Sequence, residues 1–371
     1  MYRSVLLVAL VACSGSAQEQ SCTSDQRCAA GDVDAQTDPP GVSDAGIDAP
    51  PDGPGCPSER WVRGVSRCLT AAPTEPLSSA TTVVIDTDRR DQCASTNDER
   101  YCVLAATQMT FNQGLRATGT RPIVLFAPGP ILSTGLIDVA SHRGDPDIGA
   151  GADPLVCDVS GPTAPGVGGG GAGGSFASAG GAGGAGAGVG GGPGAVSATL
   201  ELRGGCPGQA SQGGGTSSGG HGGGAVYFVS NTKISVPGGV NASGESGAGG
   251  SAAVGGGGGG GGAGGMIVFD APVVTGNLIL ANGGGGGEGG SDNAAGARGA
   301  DPTRVTPAPG GTGNPTGGDG GKGAALTPAE AGSAGTSGGG VVTGGGGGGG
   351  AGVVRAPLGA TLTNVSPSVT P

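Results

Sequence analysis

Aromatic residues make up only 2% of this 371-residue chain, which denies it the stacking platforms usual in readers of sugars or nucleic acids. Basic residues are scarce as well. Lys and Arg number 17 against 28 Asp and Glu, and the net charge of −11 argues against nucleic acid and against charge-driven binding to anionic lipid. Histidine occurs only at His142 and His221, far apart, and C-x-x-C is absent, so a zinc site has no ligand set. The apolar run Val5 to Val11 is too short to cross a bilayer as a helix. What abounds is glycine: 91 residues, of which 76 lie between Gly161 and Gly352.

The N-terminus has the form of a secretion signal, with Arg3 ahead of the short apolar run. Its end, Leu10-Val11-Ala12-Cys13, resembles the lipobox of bacterial lipoproteins, in which small residues precede an obligatory Cys. The resemblance implies that Cys13 carries a diacylglycerol thioether, is N-acylated after cleavage and becomes the first mature residue. Acylation to that extent exceeds the two signals needed for stable anchoring. Ser14, where Asp would retain a lipoprotein, implies the outer membrane by analogy with that family. The alternative is an ordinary signal peptide cut near Ala17, with Cys13 discarded.

Nine cysteines is an odd count for an exported chain. With Cys13 assigned to lipid, Cys22, Cys28, Cys56, Cys68, Cys93, Cys102, Cys157 and Cys206 form an even set suited to an oxidising compartment. Eight cysteines admit on the order of a hundred pairings. Local spacing suggests Cys22–Cys28, Cys56–Cys68 and Cys93–Cys102, leaving Cys157–Cys206 to bracket the first glycine-rich insert. Between Gly15 and Gly55 the chain is rich in Asp, Pro, Ala and Gly without a periodic apolar face, which predicts an extended, disordered tether. Asp32-x-Asp34 begins like an EF-hand loop, but Gln36 and Thr37 stand where a ligand and the glycine belong. Cys56 to Cys68 holds the only tryptophan, Trp61, and reads as a disulfide-closed strap that packs this ring on the folded body, with a solvent-facing ring for ligand contact as the alternative.

Three segments repeat. IVLFAPGPILSTGLIDVAS from Ile123 aligns without a gap, at an offset of 103, on VYFVSNTKISVPGGVNASG from Val226. Ile131 falls on Ile234, Gly135 on Gly238, Ile137 on Val240 and Asp138 on Asn241. IVFDAPVVTGNLILANG from Ile267 fits after a two-residue deletion, with Ile279 on Val240 and Ala281 on Ala242. Each unit is a β-rich run, a turn, a second short strand, a glycine turn and a third strand. Short repeats of this kind mark rungs that bury their faces on one another. They predict an all-β parallel β-helix, or solenoid, with the glycine tracts as inserts between rungs. Thr82 to Ile85, Cys102 to Ala106, Val196 to Leu202 and Val353-Val354 are weaker strand candidates. Tracts abutting a rung are expected to pack side by side as extended chains, whereas Glu288 to Thr343, where charge and proline intrude, is expected to be disordered. Glycine does not recur strictly every third residue, so collagen is excluded.

The GGGGAGG and ANGGGGGEGG blocks resemble the glycine-rich surface lipoproteins of Gram-negative bacteria and are similar in style to the PE-PGRS surface proteins. The likeness spans roughly residues 80 to 355 and implies architecture, because no function is attached to that group. The expected organisation is therefore a signal peptide (1–12), a tether (13–55), a strap (56–80), first rungs (81–160), a glycine-rich solenoid (161–287), a disordered glycine-rich stretch (288–343) and a terminal tract with a C-terminal strand (344–371).

Motifs for chemistry fail on inspection. G-x-G-x-x-G arises from composition and never opens a helix. Thr316 to Gly323 mimics a P-loop but lacks its first glycine and its Ser/Thr, and Gly310 to Asn314 approaches the calcium nonapeptide but meets Pro315 in place of Asp. No serine sits in a nucleophile elbow. His142 lies in SHRGDPD, which reads as a solvated turn, and the Arg143-Gly144-Asp145 triplet in it is common by chance. His221 lies in a glycine loop expected to hold it loosely. Asp86 and Asp88 are an acid pair of the type a carbohydrate-active enzyme employs, but without a third group. The reading is thus a non-enzymatic cell-envelope lipoprotein without cofactor or metal, held on the outer membrane by its lipid. It acts as a structural or adhesive display module. Docking to an envelope assembly and a carbohydrate-active enzyme are the alternatives, with surface polysaccharide or envelope proteins as candidate partners.

Overall fold

The computed structural model describes residues 57, 60–94, 99–159, 161, 163–197, 201–213, 215, 217–252, 256–328, 330 and 342–371. Three runs rich in β-branched and aromatic residues set the frame: Ile123–Ala127, Ala225–Ser230 and Met266–Asp270. They pair in parallel, and Leu125, Phe228 and Phe269 lie in one register. The rings of Phe228 and Phe269 stack 5.0 Å apart. Cys102–Ala105 extends this sheet on one side, and Val353–Arg355 and then Val369–Thr370 on the other. Alternation of inside and outside is missing from the central strands, whose residues are buried on both faces. Leu125, Phe228 and Ile267 face a core shared with the larger sheet. Val124, Phe126, Tyr227 and Met266 face a second core with Val62, Leu69, Phe176 and Ala263. A parallel sheet covered on both sides reads as continuous apolar sequence for this reason.

The larger sheet departs from the expectation of a β-helix. Its order is Leu77–Ser79, Met109–Phe111, Ile131–Ser133, Lys233–Val236, Val273–Leu280, Val240–Asn241, Ile137–Asp138, Leu115–Thr118 and Val83–Asp86, with Thr361–Ser366 also pairing Val273–Leu280. All these pairings are parallel. Earlier units supply two short strands separated by a glycine turn. There Gly135 and Gly238 stack so closely that a Cβ on Gly238 would lie 2.3 Å from the Thr134 carbonyl oxygen. The third unit lacks two residues at that turn, so its chain runs straight through as Val273–Leu280 and pairs both with Lys233–Val236 and with Val240–Asn241. Two rows of strands thereby join into one sheet that turns back on itself. The all-β β-helix is accordingly corrected to a parallel α/β fold with a nearly closed, barrel-like parallel sheet and almost no helix. The one α-helix among the described residues is Val156–Val159.

The glycine tracts, expected to pack side by side as extended chains where they abut a rung, do so. Residues 169–174, 256–265, 283–290 and 344–350 form neither strand nor helix, yet they are buried. Their hydrogen bonds run between chain segments with a repeat of three residues. The N–H groups of Gly258, Gly261 and Gly264 donate to the carbonyls of Gly344, Gly347 and Gly350, and those of Gly259, Gly262 and Gly265 to Ala248, Glu245 and Ala242. Gly260 and Ala263 donate to Gln209 and Cys206. The carbonyls of the same tract accept from Gly171 and Gly174, from Gly220 and Gly223, and from Gly284, Gly287 and Gly290. A three-residue period with every bond external is the geometry of packed polyproline-II-like chains. Residues 288–325, expected to be disordered, belong to this layer too: Gly299 donates to Gly247, Gly311 to Gly286 and Gly321 to Gly346.

Candidate functional site

The expected lipid anchor, Cys13, lies outside the described residues, as do Cys22, Cys28, Cys56 and the tether. Cys68 is disulfide-bonded. Cys93 is joined to Cys102, and Cys157 to Cys206. Trp61 opens the hairpin Trp61–Val62 with Arg67–Cys68, but it is Val62, Val65 and Leu69 that bury themselves on the body while Trp61 stays partly exposed. Arg63 pins this strap through an ion pair with Asp270 at 3.1 Å.

Asp32 and Asp34 lie outside the described residues; the acids and histidines singled out within them have structural tasks. Asp86 accepts the Asp88 N–H at 3.0 Å, and Asp88 takes the Thr120 N–H and hydroxyl, so the acid pair caps turns at a sheet edge. His142 Nε2 meets Asp138 Oδ2 at 2.8 Å, beside Arg116, which also reaches Asp145 at 3.1 Å. Arg143 does not face solvent alone; its guanidinium donates to the Gly299 carbonyl at 2.7 Å and its N–H to Asp301. His221, expected to be loosely held, is fixed instead: Nδ1 lies 2.6 Å from Asp153 Oδ2 while Asp153 Oδ1 accepts the Gly222 N–H. In both histidines the carboxylate bond raises the imidazole pKa above its ordinary value. Arg143, not the local His142–Asp138 pair, ties the strand region to the glycine layer. Among the described residues no group of His, Cys, Asp and Glu is arranged to hold a metal ion.

Sequence reasoning passes over two residues whose setting is unusual. Glu288 interrupts a glycine tract and is only 1% exposed. Its neighbours Gly285 and Gly287 each face another chain segment, whereas its own carboxylate accepts the N–H groups of Ala297 and Asn314 and so replaces a missing neighbour. Arg203 is 7% exposed and lines a cavity of about 260 Å³ with Val156, Cys157, Gly174, Ala195 and Cys206. Its guanidinium lies 4.3 Å from the centre of the Phe176 ring, and Nη1 is 3.8 Å from both disulfide sulfurs. Nε and Nη2 are buried and meet no hydrogen-bond acceptor among the described residues. The nearest acid in sequence, Glu201, pairs with Arg100 at 2.7 Å. Burial pulls the guanidinium below its ordinary pKa. The signal for Arg203 is its isolation, since no other Lys or Arg lies between Arg143 and Lys233.

No family model, no curated protein and no solved structure matches the chain.

Proposed function

We propose that the chain is a non-enzymatic cell-envelope lipoprotein whose body serves as a structural or adhesive display module, anchored through Cys13 on the outer membrane. The observation that carries this reading is the glycine layer: tracts far apart in sequence interlock by hydrogen bonds on all sides, giving a stiff body from residues that offer no chemistry of their own. Asp86 and Asp88, the basis of the carbohydrate-active alternative, are engaged as turn caps, which weakens that alternative. Fold class by itself does not assign function.

Labelling cells with a clickable fatty acid should tag the chain, and Cys13→Ala should abolish the tag. A deletion strain should lose surface attachment or cell cohesion, and pulldown with the lipid-free body should find no single stoichiometric partner. Lipid label surviving Cys13→Ala sinks the anchor. Polysaccharide turnover abolished by Asp86→Ala or Asp88→Ala sinks the display reading.

A further inference from the structure

We infer that the cavity on Arg203 binds a small monocarboxylate with an apolar body, held by the side-on fork of Nε and Nη2. Guanidinium cannot shed its proton near neutral pH, so its charge stays buried in that setting. A buried charge without a partner is costly, and a paired, hydrogen-bonded one is not. The groups packed closest to Arg203 are already committed. Phe176 covers one face, the Cys157–Cys206 disulfide flanks Nη1, Ser175 donates to the Gly194 carbonyl, and Gln209 bridges the Ala172 N–H and the Thr163 carbonyl. Only the Nε–Nη2 edge lacks an acceptor among the described residues. Two parallel N–H donors on one planar edge match the two oxygens of a carboxylate. Beside the Ser197 hydroxyl, the rest of the wall is Val156, Ala195, Pro207, the disulfide and glycine methylenes, which suits a short, mostly hydrocarbon body and offers no second cation for a doubly charged anion. Both nitrogens are covered, so a ligand reaches them only as the cavity wall shifts, and association should be slower than diffusion.

The test is titration of the oxidised, folded chain with isotope-labelled propionate, followed by NMR and by thermal stability, against phosphate and chloride. Propionate should bind saturably and raise the melting temperature; phosphate and chloride should not. Arg203→Met should abolish binding, yet fold at least as stably as the parent without ligand, because an unpaired buried charge has gone. Arg203→Lys keeps the charge without the fork and should bind roughly tenfold more weakly or worse. It also serves as the reference should the Met variant fail to fold. The assignment is overturned by absence of saturable propionate binding, by binding retained in Arg203→Met, by equal binding in Arg203→Lys, or by phosphate binding in preference to propionate.

Discussion

A single methyl group placed inside the glycine layer tests the packing account directly. A Cβ on Gly260 would lie 1.9 Å from the carbonyl oxygen of Ala172 and 2.4 Å from its carbon. Residues 259 and 261 offer no relief, since their own Cβ positions meet Ser218 and Gly284 at 2.0 and 2.1 Å. To reach ordinary contact, the 171–174 segment must retreat by roughly 1 Å or more. That segment is held by Gly171 to Gly258 and Gly174 to Gly261, and its Ala172 carbonyl accepts from Gln209. Losing two or three such buried bonds costs about 3–6 kcal/mol, in line with severe overpacking. The comparison is Gly192→Ala, where the nearest atoms belong to the exposed Thr163 side chain at 3.3 Å and can give way. There the loss of unfolded-state freedom offsets the crowding, and the change should stay within about 1 kcal/mol of neutral. Urea unfolding read by far-UV circular dichroism and Trp61 fluorescence measures both. If Gly260→Ala unfolds at the same urea concentration as Gly192→Ala, the tracts are not packed as described.

Further perturbations follow from the same structure. Joint replacement of Cys157 and Cys206 by serine opens a closure spanning 49 residues and should lower stability by about 4 kcal/mol on the chain-entropy account, measured by urea unfolding with and without reductant. Glu288→Ala strands two backbone donors and should cost about 1–3 kcal/mol, with faster hydrogen exchange confined to residues 294–314; Glu288→Gln should recover part of the loss. His142 and His221 have raised pKa values in the folded chain, so their contribution is complete below the unfolded value near pH 6.5 and is lost as pH climbs through the folded values. Stability should therefore fall with rising pH across the neutral range, and His142→Gln with His221→Gln should flatten that slope. Glu245, raised by burial, acts in the same sense at lower pH.

How much of this the sequence discloses depends on whether the signal is local. The offset of 103 between the first two units reappears as strand register, with Ile131 opposite Ile234 and Asp138 opposite Asn241. Thr82 to Ile85, Cys102 to Ala106 and Val353-Val354 each lie on a strand within a residue or so. Closure of the larger sheet escapes the sequence because it follows from a deletion: the two absent residues are visible, but their effect appears only when the straightened strand meets both neighbours. In the glycine region a periodicity is present in inverse form. Collagen is excluded because glycine is not every third residue, yet the residues that are not glycine recur at threes along outer segments: Ala179, Ala182 and Ala185; Ala242, Glu245, Ala248 and Ser251; Thr316, Asp319 and Lys322. A chain with neighbours on some sides and space on one most readily carries its larger side chains at every third position, and the extra residues of the second segment, Ser243 and Ser246, are small and buried. The Arg203 cavity has no local signal beyond an isolated cation, because its partners come from Phe176 and from the Cys157–Cys206 disulfide.

The same logic explains where the pure glycine runs fall. Gly256 to Gly262, Gly283 to Gly287 and Gly344 to Gly350 are mutually hydrogen-bonded, through Gly258 to Gly344, Gly284 to Gly262 and Gly349 to Gly284, so each of these tracts lies between the other two and a ring of outer segments. No position on them can bear a Cβ without striking a carbonyl. Ala263, which directly follows the first run, places its methyl in the second core instead. Glycine loses the most conformational freedom on ordering, so such tracts are poor structure formers singly. They become ordered only together, because each one's donors are satisfied by several others and a missing member would leave buried peptide groups unpaired on every side. Order in the layer is therefore cooperative, and a body with 2% aromatics obtains through peptide hydrogen bonds the rigidity that most domains draw from a larger apolar core.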